Sequence, residues 1–111
     1  MSDLPEGPDV LLVLARWTVR AGRAQEVWEA VDTLAAATRD EAGCLGFECF
    51  TAPGEPDRIL LVERYADAAA FEQHRASEHF ERVMQGSIAP LLEERVIRTF
   101  HPAGPDGVAV G

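Results

Sequence analysis

The order in which strand-like and helix-like segments follow one another limits the folds open to this chain. A strand, a helix and a strand come first, and the same order returns after a turn at Pro53–Asp57. Two such split βαβ units predict an α+β, ferredoxin-like fold, in which a four-stranded antiparallel sheet carries the helices on one face. The predicted strands are Val10–Arg20, Cys44–Thr51, Arg58–Tyr65 and Glu93–His101, and the predicted helices are Arg23–Glu41, Ala68–Arg75 and Ser77 to about Gly86.

Local sequence patterns support the helix boundaries. Gly43 is predicted to end the first helix, because glycine readily adopts the left-handed conformation that closes many helices. Asp67 and Ser77 are predicted to cap the two later helical pieces, because their side-chain oxygens can accept from the first free backbone N–H groups. Apolar residues at helical spacing predict the buried stripes, which are Val27, Val31, Leu34 and Thr38, then Phe80, Val83 and Met84.

Apolar residues occupy both faces of the first predicted strand. One face carries Leu11, Val13, Ala15, Trp17 and Val19, and the other carries Val10, Leu12 and Leu14. The run Ile59–Val62 repeats this pattern, yet the helices can cover only one face of the sheet. A second copy of the chain, packed sheet to sheet as a two-fold homodimer, is the simplest cover for the other face. The alternative is a strand of high β propensity with a few exposed aliphatic side chains.

Length and charge restrict the class of protein. A chain of 111 residues predicts one domain, residues 10–101, between flexible tails at residues 1–9 and 102–111. The formal charge of −9 argues against a nucleic-acid partner and against an anionic membrane surface. The acidic N-terminus lacks the basic region of a signal peptide, so a cytoplasmic protein is expected.

The two cysteines predict neither a disulfide nor a metal site. Cys44 and Cys49 lie five residues apart in one predicted strand, which would place them on opposite faces and about 16 Å apart. A disulfide needs Cα atoms within about 7 Å, so both are interpreted as reduced apolar residues. No group of cysteines and histidines has zinc-ligand spacing, and no metal is expected.

Four segments resemble a known family. They are Arg20–Gly22, Thr38–Gly46, Leu61–Asp67 and His74–Phe80. With these segments the chain resembles the antibiotic-biosynthesis-monooxygenase-like family, small dimeric α+β barrel proteins that include quinol-monooxygenase-like enzymes. The resemblance covers about residues 10–101 and implies the same ferredoxin-like fold and homodimer. Family members include cofactor-independent monooxygenases, haem-degrading enzymes and an isomerase, so the fold alone does not determine the chemistry.

The resemblance implies a cofactor-independent monooxygenase that uses molecular oxygen and a small aromatic, hydroquinone or polyketide-derived phenol. The alternative is a non-redox isomerase or a ligand-binding dimer of the same fold. The haem-degrading branch has an Asn on the first strand, a Trp in the short helix and a haem-ligating His in the next helix. The corresponding positions here are Ala15, His74 and Met84, so no haem is expected, and neither is a flavin or any other cofactor.

His74 is the predicted catalytic residue. Its ordinary pKa near 6.5 suits a general base at neutral pH, and a deprotonated phenol or hydroquinone can itself reduce oxygen in a dry pocket. The alternative is a histidine at a helix end that bonds to the backbone. As a polar helix-end residue, His74 is expected to contribute little to stability.

Other residues are predicted to bind the substrate. Glu63 could orient His74 or anchor the helix, and Tyr65 could donate to a substrate oxygen or merely pack. Arg64 and Arg98 could stabilise an oxyanion, although solvated strand arginines are the commoner case. The aromatic and methionine residues could contact a flat ring or belong to the core. The predicted substrate-binding set is Trp17, Phe47, Glu63, Tyr65, Phe71, His79, Phe80 and Met84.

Overall fold

The structure, a computed structural model, describes residues 9–101. The predicted tails, residues 1–9 and 102–111, lie outside the described residues apart from Asp9. The strands are β1 (Leu11–Val19), β2 (Cys44–Ala52), β3 (Glu55–Tyr65) and β4 (Leu92–Phe100), and the helices are α1 (Ala24–Arg39), α2 (Ala68–Arg75), a π-helix (Phe80–Ile88) and a 3₁₀ turn (Ala89–Leu91).

The four strands form one antiparallel sheet in the order β2-β3-β1-β4. This order and the helices between the strands confirm the ferredoxin-like α+β fold. The two most apolar strands, β1 and β3, take the centre, whereas β2 and β4 are the edges. Val13 lies opposite Glu63 on β3, and Trp17 lies opposite Arg95 on β4. These two pairs place Glu63 and Arg95 on the inner face of the sheet, in the site described below.

The core lies between the inner face of the sheet and the helices. The inner residues of β1 are buried, as the alternating pattern predicts. Ala15, Trp17 and Val19 belong to the core cluster with the buried stripes of α1 and the π-helix, whereas Leu11 and Val13 cluster with Tyr65 and Ala70. Each fully buried aliphatic side chain contributes about 1.5–3 kcal/mol relative to an exposed one. The helix residues of this core include Val27, Val31, Leu34, Ala35, Val83, Met84 and Ile88.

Gly43 does not end α1 as predicted. The helix ends at Arg39, the next residue Asp40 keeps right-handed helical dihedrals, and Gly43 has no positive φ. Its role is steric instead, because a Cβ at this position would lie 2.4 Å from the Cβ of Ala70 in α2. The missing side chain therefore lets α2 approach the segment between α1 and β2.

The cysteines lie on the same face of the sheet, so the predicted opposite faces are wrong. The register of β2 against β3 shifts between Cys44 and Gly46, which is a β-bulge with one extra residue. Cys44 consequently lies opposite Tyr65, and Cys49 lies opposite Leu61. Both partners face the core, and both cysteines are free and pack against it. A bulge reverses the alternation, which a count along the sequence does not detect.

The hairpin between β2 and β3 is tighter than predicted. Ala52 pairs directly with Glu55, so only Pro53 and Gly54 form the turn and β3 begins at Glu55. Gly54 has a φ of 73°, which glycine adopts without steric cost. Proline followed by glycine is the sequence that favours such a turn.

The second helical piece is a π-helix rather than an α-helix. At its end the N–H of Ala89 donates to the carbonyl oxygen of Met84, five residues earlier. Such segments are rare, and they occur frequently at functional sites. Ser77 precedes the segment and caps it as predicted, because its Oγ accepts from the N–H of Phe80 at 3.2 Å.

The outer face of the sheet carries no helix in the part of the chain that the structure describes. Leu12, Leu14, Leu60 and Val62 are only partly buried there, in contrast to the inner residues of the same strands. Phe50 and Phe100 on the edge strands are about half exposed. Within residues 9–101, no helix is long and apolar enough to cross a membrane.

Candidate functional site

A cavity of about 480 Å³ opens between the inner face of the sheet and the helical layer of α2 and the π-helix. Most of its wall is aromatic or aliphatic, and Glu63 and His74 are among its polar groups. Seven of the predicted site residues line it: Trp17, Phe47, Glu63, Phe71, His74, Phe80 and Met84. The volume suits a small organic ligand.

His74 reaches the cavity from the last turn of α2. Asp67 sets the start of this short helix, because its Oδ1 accepts from the N–H of Ala70 at 2.8 Å. The His74 side chain is 3% exposed and lies among the rings of Phe71, Tyr65 and Phe80. The expectation that His74 contributes little to stability is therefore wrong, because the residue is buried and packed on several sides.

A carboxylate holds the His74 ring from behind. Oε2 of Glu41, in the segment after α1, lies 2.9 Å from Nδ1 of His74 and 2.5 Å from Nε2 of His79. Both histidines therefore direct a ring nitrogen at one oxygen atom. Sequence reasoning did not single out Glu41, although the residue belongs to the segment Thr38–Gly46 that carried the family resemblance.

The hydrogen bond to Glu41 determines which ring nitrogen of His74 keeps a lone pair and can act as a base. A neutral imidazole that donates from Nδ1 to a carboxylate keeps its lone pair on Nε2, and this tautomer is assigned from the bond. Nε2 lies 3.9 Å from Oε1 of Glu63, on the side of the cavity. Burial lowers the pKa of His74, and the Glu41 hydrogen bond opposes that effect. At neutral pH the residue is thus a neutral base whose charged form Glu41 can stabilise.

Glu63 is a buried carboxyl group on the inner face of β3. Burial raises its pKa to about 7, and the hydrogen bond from Tyr65 acts in the opposite direction. The Tyr65 hydroxyl donates to Oε1 of Glu63 at 2.6 Å. Burial and the neighbouring Glu63 raise the pKa of Tyr65, so this hydroxyl stays protonated. Glu63 can therefore exchange a proton near neutral pH, whereas Tyr65 serves as a fixed donor.

Tyr65 and His79 do not line the cavity, unlike the other predicted site residues. Tyr65 is fully buried behind Glu63, and His79 is a partner of Glu41. Arg64 and Arg98 pair with Leu12 and Leu14 respectively, which places them on the outer face and away from the cavity.

Four polar cavity residues were missed by sequence reasoning, namely Arg75, Gln85, Arg95 and Thr99. Arg95 lies on the same strand as the rejected Arg98 but on the opposite face. The alternation along β4 could have separated the two arginines once the register against β1 was known. The register is a property of the folded sheet, so the sequence pattern alone was insufficient.

Glu41, His74 and His79 are also the residues that could hold a cation, because their ligand atoms lie within 4.8 Å of one another. Here the carboxylate oxygen already accepts from both imidazoles. A cation would have to replace both protons and would take the Nδ1 of His74.

The family assignment rests on the sequence match together with this fold. The antibiotic biosynthesis monooxygenase family matches residues 10–86, which is more than half of the chain. The chain belongs to this family. The match confirms the predicted family, and it spans the cavity walls from β1 to Met84. Arg95 and the rest of β4 lie beyond the matched segment.

Solved structures resemble this antibiotic biosynthesis monooxygenase family member over nearly its whole described length. A protein from Shewanella oneidensis has a TM-score of 0.79 and 27% identity, over 87% of this chain and 94% of that one. A protein from Pseudomonas aeruginosa has a TM-score of 0.76 and 30% identity, over 84% and 93%. A structure described as an antibiotic biosynthesis monooxygenase has a TM-score of 0.77 and 25% identity, over 81% and 95%. No curated protein matches the sequence.

Proposed function

We propose that the protein is a cofactor-independent monooxygenase that oxidises a small aromatic, hydroquinone or polyketide-derived phenol with molecular oxygen. The observation that carries the proposal is the pair His74 and Glu63 on the wall of a largely apolar cavity with several aromatic side chains. Family membership supports the same reaction type. The aromatic wall suits a flat substrate, which agrees with the role predicted for Trp17, Phe47 and Phe71.

In this proposal His74 is the general base. Nε2 takes a proton from a phenolic hydroxyl or from the acidic carbon beside a ring carbonyl, and the resulting imidazolium is stabilised by Glu41 at 2.9 Å. Glu63 can hold or return a proton, because its pKa of about 7 is near the working pH. The polar network behind the wall, which includes Tyr65 and His79, keeps both groups in place.

Deprotonation makes the substrate electron-rich enough to reduce oxygen. An anthrone-type CH₂ group illustrates the balance: it loses two hydrogen atoms, one oxygen atom becomes the new carbonyl oxygen, and the other leaves as water. The substrate supplies all four electrons that reduce the oxygen molecule. The cavity contributes by excluding water from the carbanion, and the base contributes by moving protons at defined positions.

We further propose that the protein acts as a homodimer packed through the outer face of the sheet. The partly buried leucines and half-exposed phenylalanines of that face support this arrangement, since two copies would remove them from water. Because a two-fold interface uses the same patch on each copy, one apolar face is sufficient.

The oxygenase proposal is tested by oxygen uptake with a panel of hydroquinones and anthrones. We expect uptake above autoxidation for at least one compound, and a loss of that excess in His74→Gln, which keeps the size and a nitrogen donor. EDTA should leave the rate unchanged, because Glu41 already accepts from both histidines. No excess uptake across the panel would favour the alternative, a non-redox isomerase or a ligand-binding dimer of the same fold.

A further inference from the structure

Two buried N–H donors without a partner in the described part of the chain belong to residues that pair across the sheet and line the cavity. Among residues 9–101, three buried side-chain polar atoms have no hydrogen-bond partner, and two of these are Nε1 of Trp17 and Nε of Arg95. Both residues line the cavity and are directly opposite each other on β1 and β4. Opposed side chains on one face of a sheet have Cβ atoms about 4.5–5.5 Å apart. A buried donor without a partner is costly, so a pair of them indicates a missing acceptor.

The rest of the Arg95 side chain is held by uncharged neighbours. One terminal nitrogen, Nη1, donates to Oε1 of Gln85 at 3.3 Å, and the guanidinium carbon lies 5.9 Å from the centre of the Phe80 ring. Nε, on the other edge of the guanidinium, is buried and has no acceptor among the described residues. This edge presents parallel N–H groups that match the two oxygens of a carboxylate.

The charges on the cavity wall also favour an anion. The lining includes the guanidinium groups of Arg75 and Arg95, whereas Glu63 is its carboxyl group. Burial lowers the pKa of Arg95 and the neighbouring Arg75 acts in the same direction, whereas Glu63 opposes both effects. Burial also raises the pKa of Glu63 to about 7, so this group is an incomplete counter-ion at neutral pH. The positive wall belongs to a chain with a formal charge of −9, so it is a local feature.

The donor pair lies further along the sheet than the residue that pairs with Glu63. Glu63 faces Val13, and Trp17 is four residues further along β1, which corresponds to about 13 Å between backbone positions. The His74 ring lies 5.1 Å from the centre of the Phe80 ring and the Arg95 guanidinium carbon lies 5.9 Å from it, so a fused two- or three-ring system can span the gap between His74 and Arg95. A ligand could then present a phenolic hydroxyl to His74 and an acidic group to Arg95.

We propose that Trp17 and Arg95 form a carboxylate subsite, so that the substrate is a fused-ring phenol with a carboxylate at the end away from the reacting hydroxyl. This inference deepens the proposed function by giving its substrate class, and it uses the same cavity. The subsite binds the carboxylate through the indole N–H and the free guanidinium edge. A binding measurement without turnover tests the subsite separately from the oxygenase activity.

The test compares the binding of 6-hydroxy-2-naphthoate and 2-naphthol by calorimetry at pH 7.5 under anaerobic conditions. Wild-type protein should bind the carboxylate about 10- to 100-fold more tightly, the range expected for hydrogen bonds to a charged group. Arg95→Met should reduce this preference to less than about threefold while 2-naphthol affinity stays within about twofold. Trp17→Phe, which keeps a buried ring and removes the N–H, should reduce the preference partly.

The matched control is Arg82→Met. This residue lies on the π-helix with a well-exposed side chain near Glu78, and it does not line the cavity. The control removes the same charge from the chain and should leave the preference unchanged. Equal binding of the two compounds by wild-type protein, no binding of either, or a preference that persists in Arg95→Met would overturn the subsite. Loss of the preference in Arg95→Met without oxygen uptake by wild-type protein would keep the subsite and reject the oxygenase.

Discussion

Replacement of Glu63 by glutamine should make the protein more stable at alkaline pH and leave it almost unchanged at acidic pH. The pKa of Glu63 is about 7 in the folded protein, against 4.5 for the ordinary group, because its side chain is buried. A group with a raised folded pKa takes up a proton on folding between those values. The free energy of unfolding therefore falls as the pH rises through this window, and the glutamine variant escapes that loss.

The size of the effect follows from the two pKa values. The difference between 4.5 and about 7, at about 1.4 kcal/mol for each pH unit, amounts to about 3 kcal/mol at full ionisation. Glutamine can still accept from the Tyr65 hydroxyl, so the variant removes the charge and keeps the hydrogen bond. Between pH 5 and pH 8.5 we expect the variant to gain about 2–3 kcal/mol relative to wild type.

Urea denaturation of both proteins at fixed concentration, at pH 5, 7 and 8.5, measures this difference. Glu81→Gln is the control, because it removes the same charge at an exposed position, where burial does not act on the carboxylate. The reasoning is refuted if the difference for Glu63→Gln is flat with pH. A variant that loses stability at pH 8.5 would show that a partner stabilises the ionised carboxylate, which is the opposite of the burial effect.

Three further predictions concern the base, the dimer and the packing of α2. His74→Gln should lower turnover by about 10²-fold or more, and His79→Gln should lower it by less. The wild-type rate should rise with pH and show an inflection below pH 6.5, because burial lowers the pKa of His74. Leu14→Glu should convert the dimer to monomers or unfold it, since one buried leucine contributes about 1.5–3 kcal/mol on each copy. Sedimentation experiments measure this change, and a dimer that persists in the variant would contradict the outer-face interface. Gly43→Ala should lose about 1–3 kcal/mol in denaturant unfolding, because its Cβ would lie 2.4 Å from that of Ala70, whereas Gly46→Ala meets no atom within 4 Å and should be nearly neutral.

Local and periodic features of the fold could be predicted from the sequence. The strand and helix order, the buried stripe of α1, and the Asp67 and Ser77 caps depend on residues close together in the chain. The two apolar faces of β1 are visible in the alternation, and the structure shows one face buried and the other partly exposed. Family membership could also be predicted from the sequence, because the resemblance depends on short segments.

The candidate site was predictable only in part. The aromatic cavity residues and His74 were identifiable by residue type and by the family resemblance. Glu41 was not, because its importance depends on a contact with His74 across 33 positions of the chain. Arg95 was missed for a related reason, since its face depends on the register of β4 against β1.

The sequence by itself determined which segments become strands and helices, because backbone preferences, caps and hydrophobic periodicity act over a few residues. The tertiary structure decided where the polar groups meet and how they titrate. The β-bulge at Cys44 places both cysteines on one face of the sheet. The close approach of Gly43 to Ala70 places α2 near Glu41. Burial then shifted the pKa of Glu63 to about 7, because desolvation depends on every element that surrounds the carboxyl group. A pKa shift of this kind arises only when segments that are distant in the sequence pack together and exclude water from the carboxyl group.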